Sequence, residues 1–182
     1  MKQKRLPALL LAGLLALALC ACGGSGGGSD TADAPDYLGK YDLIMLKMGP
    51  LMMTPADFDY ENSYMELKDG GTLTFFDGEE SEEGPYTVDG TSFSMEEGDS
   101  VMKGTLQDGT LTLTLTADEL GGEGDAEAVT MYFALEGSDA VSALQDEISA
   151  AGTMDEQLEN MSQEELFQLM EDYGYLFGSD SE

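Results

Sequence analysis

The stretch Thr110-Leu111-Thr112-Leu113-Thr114-Leu115-Thr116 alternates strictly between a hydroxyl and an apolar side chain. Successive side chains of a strand point to opposite faces, so the leucines make one dry face and the threonines one wet face. An antiparallel strand lying on a core is the element this pattern predicts. Asp108 and Gly109 stand immediately before it. Asp-Gly is favoured where both central residues of a type I′ hairpin turn need positive φ.

The same punctuation recurs at Asp69-Gly70, Asp77-Gly78 and Asp89-Gly90, each beside a run of alternating residues. Those runs put Tyr41, Leu43 and Met45 on one face. Met65 with Leu67, Leu73 with Phe75, Tyr86 with Val88, Phe93 with Met95, and Val129, Met131, Phe133 and Leu135 make others. About eight short strands at this spacing predict a mainly β domain over 37–137, a small antiparallel up-and-down β-barrel or sandwich. Asp-Gly-(Gly)-Thr also repeats at Asp69, Asp89 and Asp108, one hairpin per copy. An eight-stranded barrel is about the smallest that can hold a ligand. On that expectation Leu43, Met45, Phe75, Phe93, Leu113 and Phe133 are the ligand-facing candidates.

After Gly137 the apolar period changes from 2 to about 3.6. Asp139 can cap a helix with an inner stripe of Val141, Leu144, Ile148 and Ala151, stopped by Gly152. Thr153 with Glu156, and Ser162 with Glu165, fit capping boxes and predict two further short helices. The last would present Leu166, Phe167, Leu169, Met170 and Tyr173, with Gly174 as a stop and Tyr175, Leu176 and Phe177 beyond. Residues 138–182 thus read as an acidic helical segment. Its apolar faces either pack on the β-domain or dock an envelope partner.

The N-terminus reads as a targeting segment over 1–21. Lys2, Lys4 and Arg5 precede an apolar run from Leu6 to Leu19, short for a membrane span of ~20 residues. Leu19-Cys20-Ala21-Cys22 then resembles the lipobox of bacterial lipoprotein signal peptides, with Leu at −3 and a small residue before the cysteine. The resemblance implies cleavage before Cys22 and a diacylglycerol on its thiol, two acyl chains giving stable anchoring where one is marginal. Residues 22–36 have the Gly/Ser-rich composition of a flexible linker. An extracytoplasmic address, tethered to the outer face of the cell membrane, follows as an expectation. Cys20 would leave with the signal, so no disulfide is expected.

Across Tyr37-Leu38-Gly39-Lys40-Tyr41, Met65-Glu66-Leu67-Lys68-Asp69-Gly70, Gly84-Pro85-Tyr86-Thr87-Val88-Asp89-Gly90, Asp108 to Leu113 and Met131-Tyr132-Phe133, the chain is similar to Gram-positive-type lipoproteins with a small lipocalin-like β-domain. The resemblance implies a barrel. It carries over no functional residue, and Gly39-Lys40-Tyr41 stands where lipocalins often have Gly-x-Trp.

Composition narrows the chemistry further. The 182 residues include no His and no Trp, which removes Ser-His-Asp triads, Cys-His pairs and imidazole-ligated zinc. All 37 acidic residues follow position 29 and face only four lysines, a net of −33 from Cys22 onward. Such a charge repels a phosphate backbone, so nucleic acid is not an expected partner. The acidic clusters Asp77 to Glu83 and Asp118 to Glu127 read as solvated loops. Gly121-Gly122-Glu123-Gly124-Asp125 only approaches a β-roll calcium repeat. Met45, Met48, Met52 and Met53 read as core filler rather than a copper site. Tyr37, Tyr41, Tyr60 and Tyr64 are candidates for a groove or for packing. No cofactor and no metal are expected. The function expected is a non-catalytic binding module for a small apolar ligand or peptide. A structural lipoprotein docking an envelope partner is the alternative, and a carboxylate-based hydrolase a more distant one.

Overall fold

The computed structural model describes residues 35–58, 60–97, 100–117 and 127–173. Nine strands form one sheet: β1 (Gly39–Met48), β2 (Leu51–Met53), β3 (Tyr64–Lys68), β4 (Thr72–Phe76), β5 (Ser81–Asp89), β6 (Ser92–Glu97), β7 (Ser100–Gln107), β8 (Thr110–Thr116) and β9 (Glu127–Leu135). Eight of them run as an antiparallel meander that closes where β9 pairs with β1, Tyr41 opposite Leu135 and Leu43 opposite Phe133. The fold is therefore a barrel and not a sandwich. β2 is the extra strand, pairing only with the end of β1 through Leu46 to Met48.

Closure demands stagger. β5 supplies it: Ser81 to Pro85 pair with β4, whereas Tyr86 to Asp89 pair with β6. Pro85, which has no N–H to donate, sits where the strand changes partner. β1 contributes a bulge between Leu43 and Met45. An extra residue reverses the facing of everything after it, so Leu43 and Leu46 both join the barrel core while Met45 turns outward.

The interior is lined by Tyr41, Leu43, Met65, Leu67, Leu73, Phe93, Leu111, Leu113, Met131 and Phe133, all buried. β8 occupies the seven residues of the Thr-Leu repeat, with Leu111 and Leu113 inward.

Three helices follow: α1 (Asp139–Ala151), α2 (Met154–Asn160) and α3 (Gln163–Tyr173). α1 lies on the outer wall, where Ala140 and Leu144 cover Met45 and Ala134. Its N-cap is Ser138 rather than Asp139. The Ser138 hydroxyl donates to the Leu135 carbonyl at 2.7 Å instead of capping, and Asp139 falls in the first turn, where its charge suits the helix dipole. Both capping boxes form. Thr153 and Glu156 exchange bonds of 2.9 and 3.3 Å, and Ser162 and Glu165 bonds of 2.8 and 3.3 Å. α2 and α3 close the barrel end formed by Met48, Leu51 and Met53. Leu169 is buried in the core there, with Met154, Leu158, Met161 and Tyr173 packed beside it. The helical segment is thus built onto the β-domain.

Candidate functional site at the open rim

The end opposite the helical cap is open. Strands β1, β4, β6 and β8 begin there and β3, β5, β7 and β9 end there, so the 69–71, 90–91 and 108–109 turns share one rim. The three copies of Asp-Gly-(Gly)-Thr are these three turns. The fourth Asp-Gly, Asp77-Gly78, lies at the other end, where the Asp77 carboxylate accepts from the N–H groups of Glu79 and Glu80 at 2.8 Å each. Only Asp108-Gly109 has both residues at positive φ, 51° and 76°, as a type I′ turn requires.

Between these turns and the incoming chain lies a cleft of about 220 Å³. Tyr37, Tyr41, Val88, Leu106 and Leu135 give it an aromatic and aliphatic wall, and Asp36, Gln107 and Asp108 give it polar groups. Gly90 and Gly109 leave backbone open to it. Gly109 serves two needs, since a Cβ there would also press on Ser138 at 3.0 to 3.1 Å. Tyr41 is fully buried and donates its hydroxyl to the Tyr37 carbonyl at 2.7 Å, which ties the entering chain to the barrel. Burial, followed by the charge of Asp36, pushes the Tyr41 phenol up to about 12. Tyr86 is pushed up in the same sense by burial, with Tyr37 and Asp69 as lesser causes, and donates to the Lys68 carbonyl at 2.9 Å. The Gln107 amide donates to the Asp108 carboxylate at 3.0 Å.

Among the described residues the barrel interior is filled by packed side chains. Tyr41, Leu111 and Phe133 are 0% exposed, Leu73 and Leu113 1%, and Phe93 2%. A void able to admit water would leave accessible surface on the side chains around it. Among the six ligand-facing candidates, Leu43, Phe93, Leu113 and Phe133 come together inside as packing, and Phe75 packs half-buried against them. Met45 belongs elsewhere: it is held under α1 by the bulge. Cys22 and the linker to residue 34 lie outside the described residues. So do the acidic run 118–126 and Gly174 to Phe177.

The four tyrosines divide. Tyr37 and Tyr41 line the cleft, and Tyr60 packs on the core. Tyr64 lies against Phe76 at 5.3 Å between ring centres, with the Lys40 ammonium 4.6 Å from its own. Lys40 is bonded to Asp42 at 2.6 Å, and that hydrogen bond raises its pKa. In the sequence Val88 and Asp108 read only as strand and turn residues, and Asp36 and Gln107 carry no signal of their own, so none of the four stands out there as a site residue. The signal that could have found them is strand parity: turns that follow every second strand share a rim. Among the described residues no three His, Cys, Asp or Glu side chains gather as a metal site. Comparison with protein families, curated proteins and solved structures finds no match to this chain.

Proposed function

We propose that this chain is an extracytoplasmic lipoprotein, held at the outer face of the cell membrane by a diacylglycerol on Cys22, and that its barrel is a non-catalytic binding module whose site is the open rim. One observation carries the choice of rim: a cleft lined by mixed polar and aromatic groups opens at one end of a barrel filled with side chains. The exposed lining is more polar than apolar, so a ligand there would be held by placed polar groups beside a smaller aromatic and aliphatic wall. Pro35 follows Cys22 by only thirteen residues, so the rim can stand at most about 45 Å from the lipid. A ligand would be met close to the membrane.

A carboxylate hydrolase has less support. It needs a carboxyl pushed up so that it holds a proton near neutral pH. Glu83 is pushed down by the hydrogen bond and charge of Lys68, and Glu165 by Ser162, and both are exposed.

Phe167 and Met170 favour a second reading. Each is 71% exposed, and they sit three residues apart on the outer face of α3, whose inner face is spent on Leu169. A partner protein docking there is the alternative. Intact mass of the mature chain from membranes tests the anchor, which requires a chain starting at a diacylglyceryl Cys22 and released by Cys22→Ser. Material copurifying with the chain separates the two site readings: Gln107→Trp, which fills the cleft, should remove a ligand, and Phe167→Ala/Met170→Ala a partner.

A further inference from the structure

The chemistry of the cleft goes further than its existence. Its volume of about 220 Å³ is below the ~300–1,000 Å³ of drug-sized sites, so its occupant is small. Two carboxylates, Asp36 and Asp108, belong to it, and no lysine lines it. The described lysines are committed or distant: Lys40 pairs with Asp42 and Lys68 with Glu83, while Lys47 and Lys103 stand on the strands β1 and β7 away from the rim turns. Asp69 and Asp89 flank the cleft in the neighbouring turns, and Asp139 opens α1 beside it. The field at the rim is therefore negative, and no cation of the described chain pairs with the cleft carboxylates. An anion would be repelled.

The walls favour a cation over two other classes. A neutral sugar draws on planar amides and hydroxyls, whereas here the one amide, Gln107, already donates to Asp108 and the Tyr41 hydroxyl donates to Tyr37, which leaves the two carboxylates as the dominant polar groups. A bare metal ion takes several convergent oxygens, whereas the cleft sets its two carboxylates beside the Tyr37 ring, Val88 and Leu135. Carboxylates beside aromatic faces and aliphatic walls suit a cation that carries an apolar body, since an ammonium is attracted both to carboxylate and to the face of a ring. Resting on the rim reading above, we propose that the cleft takes a small organic ammonium, with its charged end toward Asp36 and Asp108 and its apolar body on Tyr37, Val88 and Leu135.

The test uses the full ¹⁵N-labelled chain in non-ionic detergent, titrated with phenethylammonium chloride, 2-phenylethanol and sodium phenylacetate. These probes share a body and differ in charge. Phenethylammonium is expected to move the amides of Val88, Gly90, Gln107 and Gly109 at no more than a tenth of the concentration the alcohol needs. Phenylacetate is expected to leave them in place. Asp36→Asn/Asp108→Asn should weaken the cation at least tenfold and leave the alcohol unchanged. Both sites are exposed, and Asn tolerates the positive φ at 108, so the fold should survive, as the unchanged remainder of the spectrum will report. Equal response to the alcohol, or undiminished cation binding by the double variant, overturns the ammonium assignment and leaves the rim a binding site. No response of these amides to any probe overturns both.

Discussion

The side-chain amide of Gln157 on α2 bonds to the main chain of Met52 as a neighbouring strand would. The Met52 N–H donates to Oε1 at 2.9 Å, and Nε2 donates to the Met52 carbonyl at 2.6 Å. Nε2 also reaches the carbonyl of Gly152 at 3.1 Å. β2 is a three-residue strand hanging off β1, and its outer edge carries polar groups that would otherwise invite another chain. One glutamine satisfies that edge and fixes the helical cap to it.

Gln157→Ala should therefore cost about 1–3 kcal/mol in denaturant unfolding, the range for leaving partly buried polar groups without partners. Gln157→Glu is the sharper variant. A carboxylate can accept from Met52 N–H but opposes the Met52 carbonyl, and only the protonated acid can donate to it. Its deficit relative to wild type should shrink as pH falls through the range of an ordinary Glu. A deficit independent of pH would show that the paired geometry is not what matters.

Gly104 on β7 lies where a Cβ would collide with the carbonyl oxygen of Thr112 and reach Leu113 Cδ2 at 2.8 Å. The strands approach too closely for any side chain. Gly104→Ala should destabilise by about 1–3 kcal/mol through overpacking, and a neutral result in thermal unfolding would contradict this packing.

Phe133 and Phe167 make a contrasting pair, one fully buried and one 71% exposed. Phe133→Ala should cost about 3–5 kcal/mol by removing core volume. Phe167→Ala should stay within about 0.5 kcal/mol, as surface changes do. Polar replacements of Leu113 or Phe133 should unfold the barrel rather than empty it. Deleting 138–182 should strip Leu169 from the core as well, so point variants are the cleaner probes of α3.

Tyr41 gives a pH signature. Its folded pKa, about 12, lies above the ordinary value of 10.0, so the folded state holds the phenolic proton more tightly than the unfolded chain does. That stabilisation is complete below pH 10 and is lost as pH rises toward 12, up to about 3 kcal/mol for a two-unit shift. Tyr86 acts in the same direction. Tyr41→Phe should flatten most of the stability loss over that window while losing the bond to the Tyr37 carbonyl. An unchanged alkaline slope would contradict the buried phenol.

The elements that were legible from sequence are those with local causes. The Thr-Leu alternation marks β8 to the residue, because strand facing has period 2. Both capping boxes form because each needs only two residues three apart. Closure was beyond local reading: alternation is the same in a barrel and a sandwich, and only β9 meeting β1 decides. Ile44 shows a subtler limit. A one-residue bulge there moves Met45 from the interior to the α1 contact, and nothing in Leu43-Ile44-Met45-Leu46 announces which apolar residue is the extra one. β2 is too short to show a period. The rim cleft joins residues from 36 to 135, brought together by topology.

The most direct test of rim binding is native mass spectrometry of the full chain, isolated from its own membranes in non-ionic detergent, beside Gln107→Trp. The expected result is a stoichiometric small mass on wild type that is missing from the variant, with both chains equally folded. A wild-type chain that carries nothing, or a mass that survives with the cleft filled, would contradict the proposal that this barrel binds at its rim.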